Sequence, residues 1–354
     1  MPARITRRHA LALMAAAATP ARGQGFAGLG QDADGFALPQ PDPVFRFPRD
    51  HGPHPRFRIE WWYVTANLAT ASGGNRGIQW TLFRSALAPE DRPGWASPQI
   101  WFAHAAMTRP DAHLVAERRA RGGIGQAGVT AEPFDAWIDG WQMAGHPGAD
   151  ALGRLSLQAR GEGWSYDLEL AADGPLVFHG DGGYSVKHER GQASYYYSQP
   201  GYRVTGRLVW PEGAEEVTGQ AWLDREWSSQ PLDADQSGWD WFSLHLDGGD
   251  KLMVYRLRDS GDGFTPGTWI RADGRSESIP DGEIALEPLD WTRIGDRRLP
   301  TSWRIRIPSR GLVLETGPVN PRAWMATGIA YWEGPVRVTG SRSGMGYLEM
   351  TGYD

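Results

Sequence analysis

Two carboxylates separated by one residue are the feature of this sequence that most directly suggests acid–base chemistry. They lie in "QAWLDREWSSQ", where Asp224 and Glu226 share one face of a predicted strand. Carboxylates this close repel each other's negative charge, which raises the pKa of one and creates an acid–base couple. Both are therefore candidate catalytic residues. The alternative is that they clamp arginines at a domain junction.

One histidine and several aromatic residues supply further candidates. His104, in "IWFAHAAMT", shares a strand face with apolar residues and is either a catalytic base or a hydrogen-bonded core residue. A tyrosine run precedes a strand, and Tyr195 and Tyr197 are candidate ligand contacts, with plain packing as the alternative. Trp62 and Trp222 offer π faces that attract a cation.

A third acid lies among tryptophans in "IEWWYVTANL" and recurs later in the chain. Glu60 aligns with Asp240 of "WDWFSLHL", and Arg84 on the following strand aligns with Arg256. A buried charge must be paired or neutralised. The repeat therefore predicts two structural cross-strand pairs, Glu60 with Arg84 and Asp240 with Arg256. The alternative makes Glu60 a cavity acid with a raised pKa.

The repeat extends along the chain and divides it in two. "YSQPGYRVTG" from Tyr197 aligns with "YWEGPVRVTG" from Tyr331, and "AWLD" near Asp224 aligns with "GYLE" near Glu349. Four matches in the same order predict two related domains, 45–227 and 228–354, after an arm at 24–44. Polar residues found in one copy only are better functional candidates, which favours His104 and residues 224–226. The duplicated Trp61 and Trp241 are expected to pack as core residues.

The segments that carry these candidate residues are all predicted to be β-strands. Apolar residues alternate between turn signals such as "SGGN" and "DGG", and the chain is rich in Gly (46), Pro (26) and Trp (18). We therefore predict an all-β fold of two tandem lipocalin-like antiparallel β-barrels. Eight to ten strand-like runs in each domain fit an up-and-down barrel that can enclose an apolar ligand. A β-sandwich is the alternative.

The N-terminus has the pattern of an export signal. "MPARITRRHALALMAAAATPARGQG" joins the pair Arg7-Arg8, a short apolar run and a small-residue cleavage site. We expect residues 1–23 to be a twin-arginine signal peptide and the protein to be periplasmic or secreted. The apolar run is too short to span a membrane, and no later segment is a candidate span. Cleavage would remove four of the 36 basic residues and leave 32 against 42 acidic ones.

Composition and missing motifs exclude several classes of function. A net charge of -6 argues against a nucleic-acid partner, and the lack of cysteine excludes disulfides and thiolate catalysis. The sequence has no His-x-His or His-Glu-x-x-His spacing, so we expect no metal site. It also has no Gly-x-Ser-x-Gly, no phosphate loop and no Gly-x-Gly-x-x-Gly before a helix, so lipase and nucleotide functions are excluded and no cofactor is expected.

Six motifs together resemble a known family. They are "IEWWYVTANL", "FAHAAMT", "YYYSQPGYRVTG", "GQAWLDREWSSQ", "GWDWFSLHLDGGDKLMVYRLR" and "GYLEMTGY". In this combination, over residues 45–354, the chain is similar to the AttH/CrtC lipocalin-like family of predicted secreted hydrolases. Carotenoid 1,2-hydratases are distant relatives. The resemblance implies tandem lipocalin-like barrels, and the neighbourhood of some relatives' genes implies lipophilic cargo and a permease partner.

The hydratase branch of the resemblance implies one mechanism. An acid protonates an isoprenoid double bond, tryptophans stabilise the carbocation, and water adds with a histidine or carboxylate as base. The matching parts here are Asp224, Glu226, His104, Trp62 and Trp222. We therefore expect an exported protein that binds a lipophilic, isoprenoid-type molecule, with hydratase or hydrolase activity. The alternatives are a non-catalytic periplasmic carrier that serves an ABC-type permease and, more weakly, a glycan-binding module.

Overall fold

A computed structural model describes residue 29 and residues 33–353 of the chain. The proposed signal peptide, residues 1–23, lies outside the described residues, as does part of the arm. Regular structure within the described part consists of β-strands and three short 3-10 turns, Arg49–His51, Gly94–Ala96 and Pro308–Arg310. None of the described helical segments is long and apolar enough to cross a membrane.

Thirteen strands form the first sheet. Their bounds are β1 Ile59–Thr70, β2 Asn75–Ala86, β3 Gln99–Arg109, β4 Ala112–Arg121, β5 Ala127–Ala131, β6 Phe134–Ile138, β7 Trp141–Gly145, β8 Arg154–Gly161, β9 Trp164–Ala172, β10 Val177–Phe178, β11 Tyr184–Val186, β12 Ala193–Trp210 and β13 Gly213–Ser228. The main path runs β4-β3-β2-β1-β13-β12-β9-β8-β7-β6-β5, with β10 and β11 paired to β12. The sheet curls until β4 contacts β6 and β8, which nearly closes a barrel.

Ten strands form the second sheet. Their bounds are β14 Gly238–Leu246, β15 Lys251–Arg258, β16 Gly267–Ile270, β17 Ser276–Ile279, β18 Ala285–Ile294, β19 Arg297–Ile307, β20 Leu312–Pro318, β21 Trp324–Met325, β22 Tyr331–Gly340 and β23 Gly344–Met350. The path runs β17-β16-β15-β14-β23-β22-β20-β19-β18, and β21 pairs with β22. All pairings in both sheets are antiparallel, so the predicted all-β, lipocalin-like fold is confirmed.

Each sheet encloses a core built by alternation along its strands. In β1, Trp62, Val64 and Ala66 point into the first core, and the residues between them point outwards. The second core contains Phe242, Leu244 and their counterparts on neighbouring strands. The interior of the first barrel is thus filled by side chains.

The two sheets face each other through β1 and β2 on one side and β22 and β23 on the other. They approach each other closely at Gly77, where a Cβ atom would lie 2.6 Å from both Pro335 and the Tyr347 hydroxyl. No side chain larger than hydrogen fits there without displacing the opposite sheet. This contact fixes the distance between the outer faces, which separate elsewhere to leave a cavity.

Candidate functional site

A cavity of about 510 Å³ lies between the outer faces of the two sheets. Its floor comes from five adjacent strands of the first sheet, in the order β3, β2, β1, β13 and β12. Its roof comes from β14, β15, β22 and β23 of the second sheet. The loop after β13 and the arm before β1 close one side with Leu232 and Phe36. The site is therefore assembled from both halves of the repeat.

Strand register arranges the floor in two rows. The first row crosses the five strands as His104, Thr81, Tyr63, Asp224 and Ser198. The second crosses them as Phe102, Phe83, Trp61, Glu226 and Tyr196. Every member except Ser198 lines the cavity. The polar row thus runs beside a mainly aromatic row, which suits an elongated apolar molecule with one reactive or polar position.

Asp224 is buried next to the Ser198 end of the polar row and accepts hydrogen bonds from three neutral donors. Its Oδ1 accepts from Trp222 Nε1 at 2.6 Å and from the Ser198 hydroxyl, and its Oδ2 accepts from the Tyr196 hydroxyl at 2.7 Å. Burial raises the pKa of Asp224 to about 7, against the lowering effect of those three donors. The carboxyl group can therefore both give and take a proton near neutral pH.

Glu226, two residues further along β13, has a cationic partner. Lys187 Nζ lies 2.8 Å from Glu226 Oε1, and the Ser194 hydroxyl donates to the same oxygen. The ammonium group also lies over the rings of Tyr196 and Tyr255, at 4.9 and 4.3 Å. Burial works against the charge of Lys187, but Glu226 and Tyr255 together outweigh burial and raise the pKa of Lys187. The two predicted acids thus occupy different electrostatic environments.

Glu349 is a third cavity acid that sequence reasoning missed. It lies on β23, in the cavity roof, and accepts a hydrogen bond of 2.5 Å from Trp239 Nε1. Burial raises the pKa of Glu349 to about 7, and the charges of Asp224 and Glu226 act in the same direction. The available signal was the repeat itself, because "GYLE" aligned Glu349 with Asp224.

Behind the cavity wall, Glu333 forms a second carboxyl group in the roof. It pairs with Glu349 across β22 and β23, and its Oε1 accepts from the Tyr63 hydroxyl at 2.5 Å. Among the described residues its Oε2 has no hydrogen-bond partner. Burial and the neighbouring Glu349 raise the pKa of Glu333 well above its usual range, so this group stays neutral.

His104 lies at the opposite end of the polar row from Asp224. Its Nδ1 is 2.9 Å from the Tyr331 hydroxyl, and its Nε2 is 3.6 Å from Glu117 Oε1. Burial lowers the pKa of His104, with Glu117 acting in the opposite direction. Three strand spacings separate His104 from Asp224, which is about 14 Å along the sheet. The two residues share a cavity but cannot share a proton directly.

Other predicted ligand contacts lie outside the cavity. Trp62 packs in the first barrel, where its Nε1 donates to the His51 carbonyl, and Trp222 lies behind Asp224. Tyr197 faces the barrel and lies 2.7 Å from His51 Nδ1. Tyr195 accepts a hydrogen bond from the backbone of the arm at Gln40.

Within the run of three tyrosines, Tyr196 faces the cavity, and its neighbours on either side face away because strand residues alternate. An irregularity between Gln199 and Tyr202 inserts one residue into β12 relative to β13. Because of this extra residue, the residues before it in β12 point to the opposite face from the residues of β22 with which the sequence aligned them. Tyr331, which the sequence aligned with Tyr197, therefore lines the cavity as Tyr196 does.

Trp61 and Trp241 require a correction. The prediction placed both in strand cores, but both line the cavity between the sheets. They lie on the faces opposite to Glu60 and Asp240, since neighbouring strand residues point to opposite sides. The duplicated tryptophans are therefore site residues, although duplication suggested a purely structural role.

Both acid–arginine pairs are present on the inner faces. Glu60 contacts Arg84, its cross-strand neighbour, and Arg225 Nη2 lies 2.7 Å from its Oε2. Burial alone would raise the pKa of Glu60, but the two arginines hold it well below its usual range. Asp240 likewise contacts Arg256 at 3.0 Å and Arg258 at 2.6 Å. Each of these acids has two guanidinium partners.

The fold and site together define a lipocalin-like, all-β protein with an acid-lined apolar cavity between two sheets. The AttH-like family matches residues 38–353, and the chain therefore belongs to that family. This confirms the resemblance drawn from the motifs. No curated protein matches the chain.

Several solved structures are similar to this chain. A candidate AttH from Nitrosomonas europaea is 31% identical, with a TM-score of 0.79, covering 90% of this chain and 99% of its own. Kievitone hydratase from Nectria haematococca is 15% identical, with a TM-score of 0.67 and coverage of 90% and 96%. CghA with Sch210972 is 13% identical, with a TM-score of 0.54 and coverage of 92% and 98%. The last two share the fold.

Proposed function

We propose that this protein binds a lipophilic molecule in the cavity between its sheets and carries out acid–base chemistry on it, of the hydratase type. The observation that carries the proposal is the raised pKa, about 7, of Asp224 and Glu349 within a largely aromatic cavity. An acid that is still partly protonated at neutral pH can protonate a carbon–carbon double bond. The name of kievitone hydratase, which has the same fold, supports this reaction class.

The proposed reaction is addition of water to an isoprenoid-type alkene. The Asp224 carboxyl gives its proton to one alkene carbon, and the faces of Trp61 and Trp241 stabilise the cation at the other. Water forms the new C–O bond and loses a proton to Glu226 or Glu349 as base. Residues two apart on a strand are about 7 Å apart, so a water molecule fits between Asp224 and Glu226. His104 is too distant for this step and is assigned to the far end of the ligand.

The test uses the mature chain and a defined probe. Lipids extracted from the purified protein are identified by mass spectrometry, and farnesol is incubated with the protein in ¹⁸O-labelled water. The proposal requires a bound lipophile and a labelled hydration product that Asp224→Asn abolishes. Bound lipid without product would favour the carrier alternative. Absence of both would refute the proposed function.

Export and a transporter partner remain part of the proposal. The twin-arginine leader of residues 1–23 supports a periplasmic or secreted location, and an ABC-type permease is the proposed partner for a carrier role. Replacement of Arg7 and Arg8 by lysine should retain the protein in the cytoplasm, as measured by cell fractionation. Unchanged export would show that residues 1–23 do not act as a twin-arginine signal peptide.

A further inference from the structure

Charge and aromatic rings are distributed unevenly in the cavity, and this distribution favours one class of ligand. Among the residues that the structure describes, three carboxyl groups line the cavity, those of Asp224, Glu226 and Glu349. Lys187 is bound to Glu226, and Arg58 lies towards the arm, over the Phe36 ring. Asp224 and Glu349 are held instead by hydrogen bonds from hydroxyl and indole groups. They are therefore available to neutralise an incoming positive charge.

Aromatic rings surround this pair of acids. Trp241 Nε1 lies 3.2 Å from the Tyr196 hydroxyl, and its ring packs edge-on against Tyr63 at 5.3 Å. Trp239 and Trp61 complete the surroundings. Aromatic faces attract organic cations, most strongly where water is excluded. The same cavity already holds one ammonium group in this way, because Lys187 lies over Tyr196 and Tyr255.

We propose that the cavity binds a lipophilic ammonium ion whose charged group lies between Asp224 and Glu349. Its apolar chain would lie along the aromatic row towards Phe83 and Phe102, whose rings stack at 4.6 Å. The inference rests on the proposed function, since it uses the same cavity, and it names the ligand class more closely. An ammonium ion also reproduces the charge of the carbocation that the proposed hydration would form.

Binding of the cation should be coupled to release of protons. Asp224 and Glu349 are largely protonated below neutral pH, and an adjacent cation favours their charged forms. The other ionisable groups packed around them are Glu226, Lys187, Glu333, His179 and His245. Burial lowers the pKa of the two histidines to about 3 and about 4, and Glu333 is neutral, so these three do not compete. Affinity for the cation should therefore rise with pH.

Three probes of one chain length separate charge from lipophilicity. Decyltrimethylammonium, decanol and decanoate are titrated into the mature protein by calorimetry at about pH 5.5 and about pH 8. At the higher pH the ammonium should bind at least about tenfold more tightly than decanol, and its affinity should rise at least about tenfold between the two pH values. The quaternary ammonium has no titratable proton, so this pH dependence belongs to the protein.

Variants assign the effect to the two acids. Asp224→Asn and Glu349→Gln should each reduce the preference for the ammonium ion over decanol about tenfold. Glu212→Gln, at an exposed turn, is the matched control and should behave as the wild type. Decanol binding with no preference for the ammonium ion would overturn this inference alone. If neither probe binds, the proposed function fails with it.

Discussion

Replacing Asp224 by asparagine should stabilise the protein more at alkaline than at acidic pH. Burial raises the pKa of Asp224 from 3.8 to about 7, so the folded state holds a proton that the unfolded state has lost. When folding raises the pKa of an acid, as here, the acid does not lower the free energy of unfolding below about pH 4. Its unfavourable effect grows as the pH rises towards 7. Linkage gives a loss of about 4 kcal/mol at pH 8 and of about 1.5 kcal/mol at pH 5.

The difference between the two pH values is the quantity to measure. The amide can still accept from Trp222 and Ser198, and the Tyr196 hydroxyl can accept from its NH₂ group. Any remaining loss of hydrogen bonding, about 1 kcal/mol, is the same at both pH values. Asp224→Asn should therefore gain about 2.5 kcal/mol relative to wild type on going from pH 5 to pH 8.

Urea unfolding followed by tryptophan fluorescence at the two pH values measures this change. Asp167→Asn, at an exposed position of β9, is the control and should show no such dependence. A destabilisation by Asp224→Asn that is equal at pH 5 and pH 8 would refute the reasoning. It would show that Asp224 is a permanently ionised structural carboxylate.

Three further substitutions separate structural from ligand-binding roles. Glu60→Gln should lower the free energy of unfolding by about 3–5 kcal/mol, because it removes the counter-charge of two buried arginines; unchanged urea stability would contradict this. Trp62→Ala should lower the free energy of unfolding by about 3–5 kcal/mol, because Trp62 packs in the barrel core, whereas Trp61→Ala should mainly reduce bound lipid measured by mass spectrometry. Equal effects of the two variants would contradict the placement of Trp62 in the core and of Trp61 in the cavity. Lys187→Met should destabilise the protein, and adding Glu226→Gln should recover much of the lost free energy of unfolding in a double-mutant cycle. If the two substitutions lower the free energy of unfolding additively, Lys187 and Glu226 do not interact.

The sequence was sufficient to predict what depends on local alternation and on the repeat. Alternating apolar residues predicted the strands, and the duplicated acid and arginine predicted that β1 and β2 pair in the same way as β14 and β15. The shared face of Asp224 and Glu226 also followed from the strand period. These features depend on residues close in sequence or on one antiparallel hairpin.

The rest of the site depends on contacts that no local pattern encodes. Tyr196 faces the cavity because one inserted residue in β12 shifts its alternation, and the sequence alone does not locate that insertion. Glu349 meets Asp224 only because the outer faces of two separate sheets pack against each other. The preference for unduplicated residues selected His104, Asp224 and Glu226, which line the cavity, but it passed over Trp61, Trp241 and Glu349, because a site between repeats uses equivalent positions of both copies.

Four of the buried acids form two contrasting pairs, and the contrast indicates that one pair has a functional role. Glu60 and Asp240 are each held by two arginines, which is the arrangement that makes a buried carboxylate compatible with stability. Asp224 and Glu349 are held by hydroxyl and indole donors, and burial raises the pKa of both. At neutral pH the second arrangement costs stability, whereas a buried asparagine or glutamine would not. Acids kept at such a cost beside an aromatic cavity are most simply explained by the protons they exchange there.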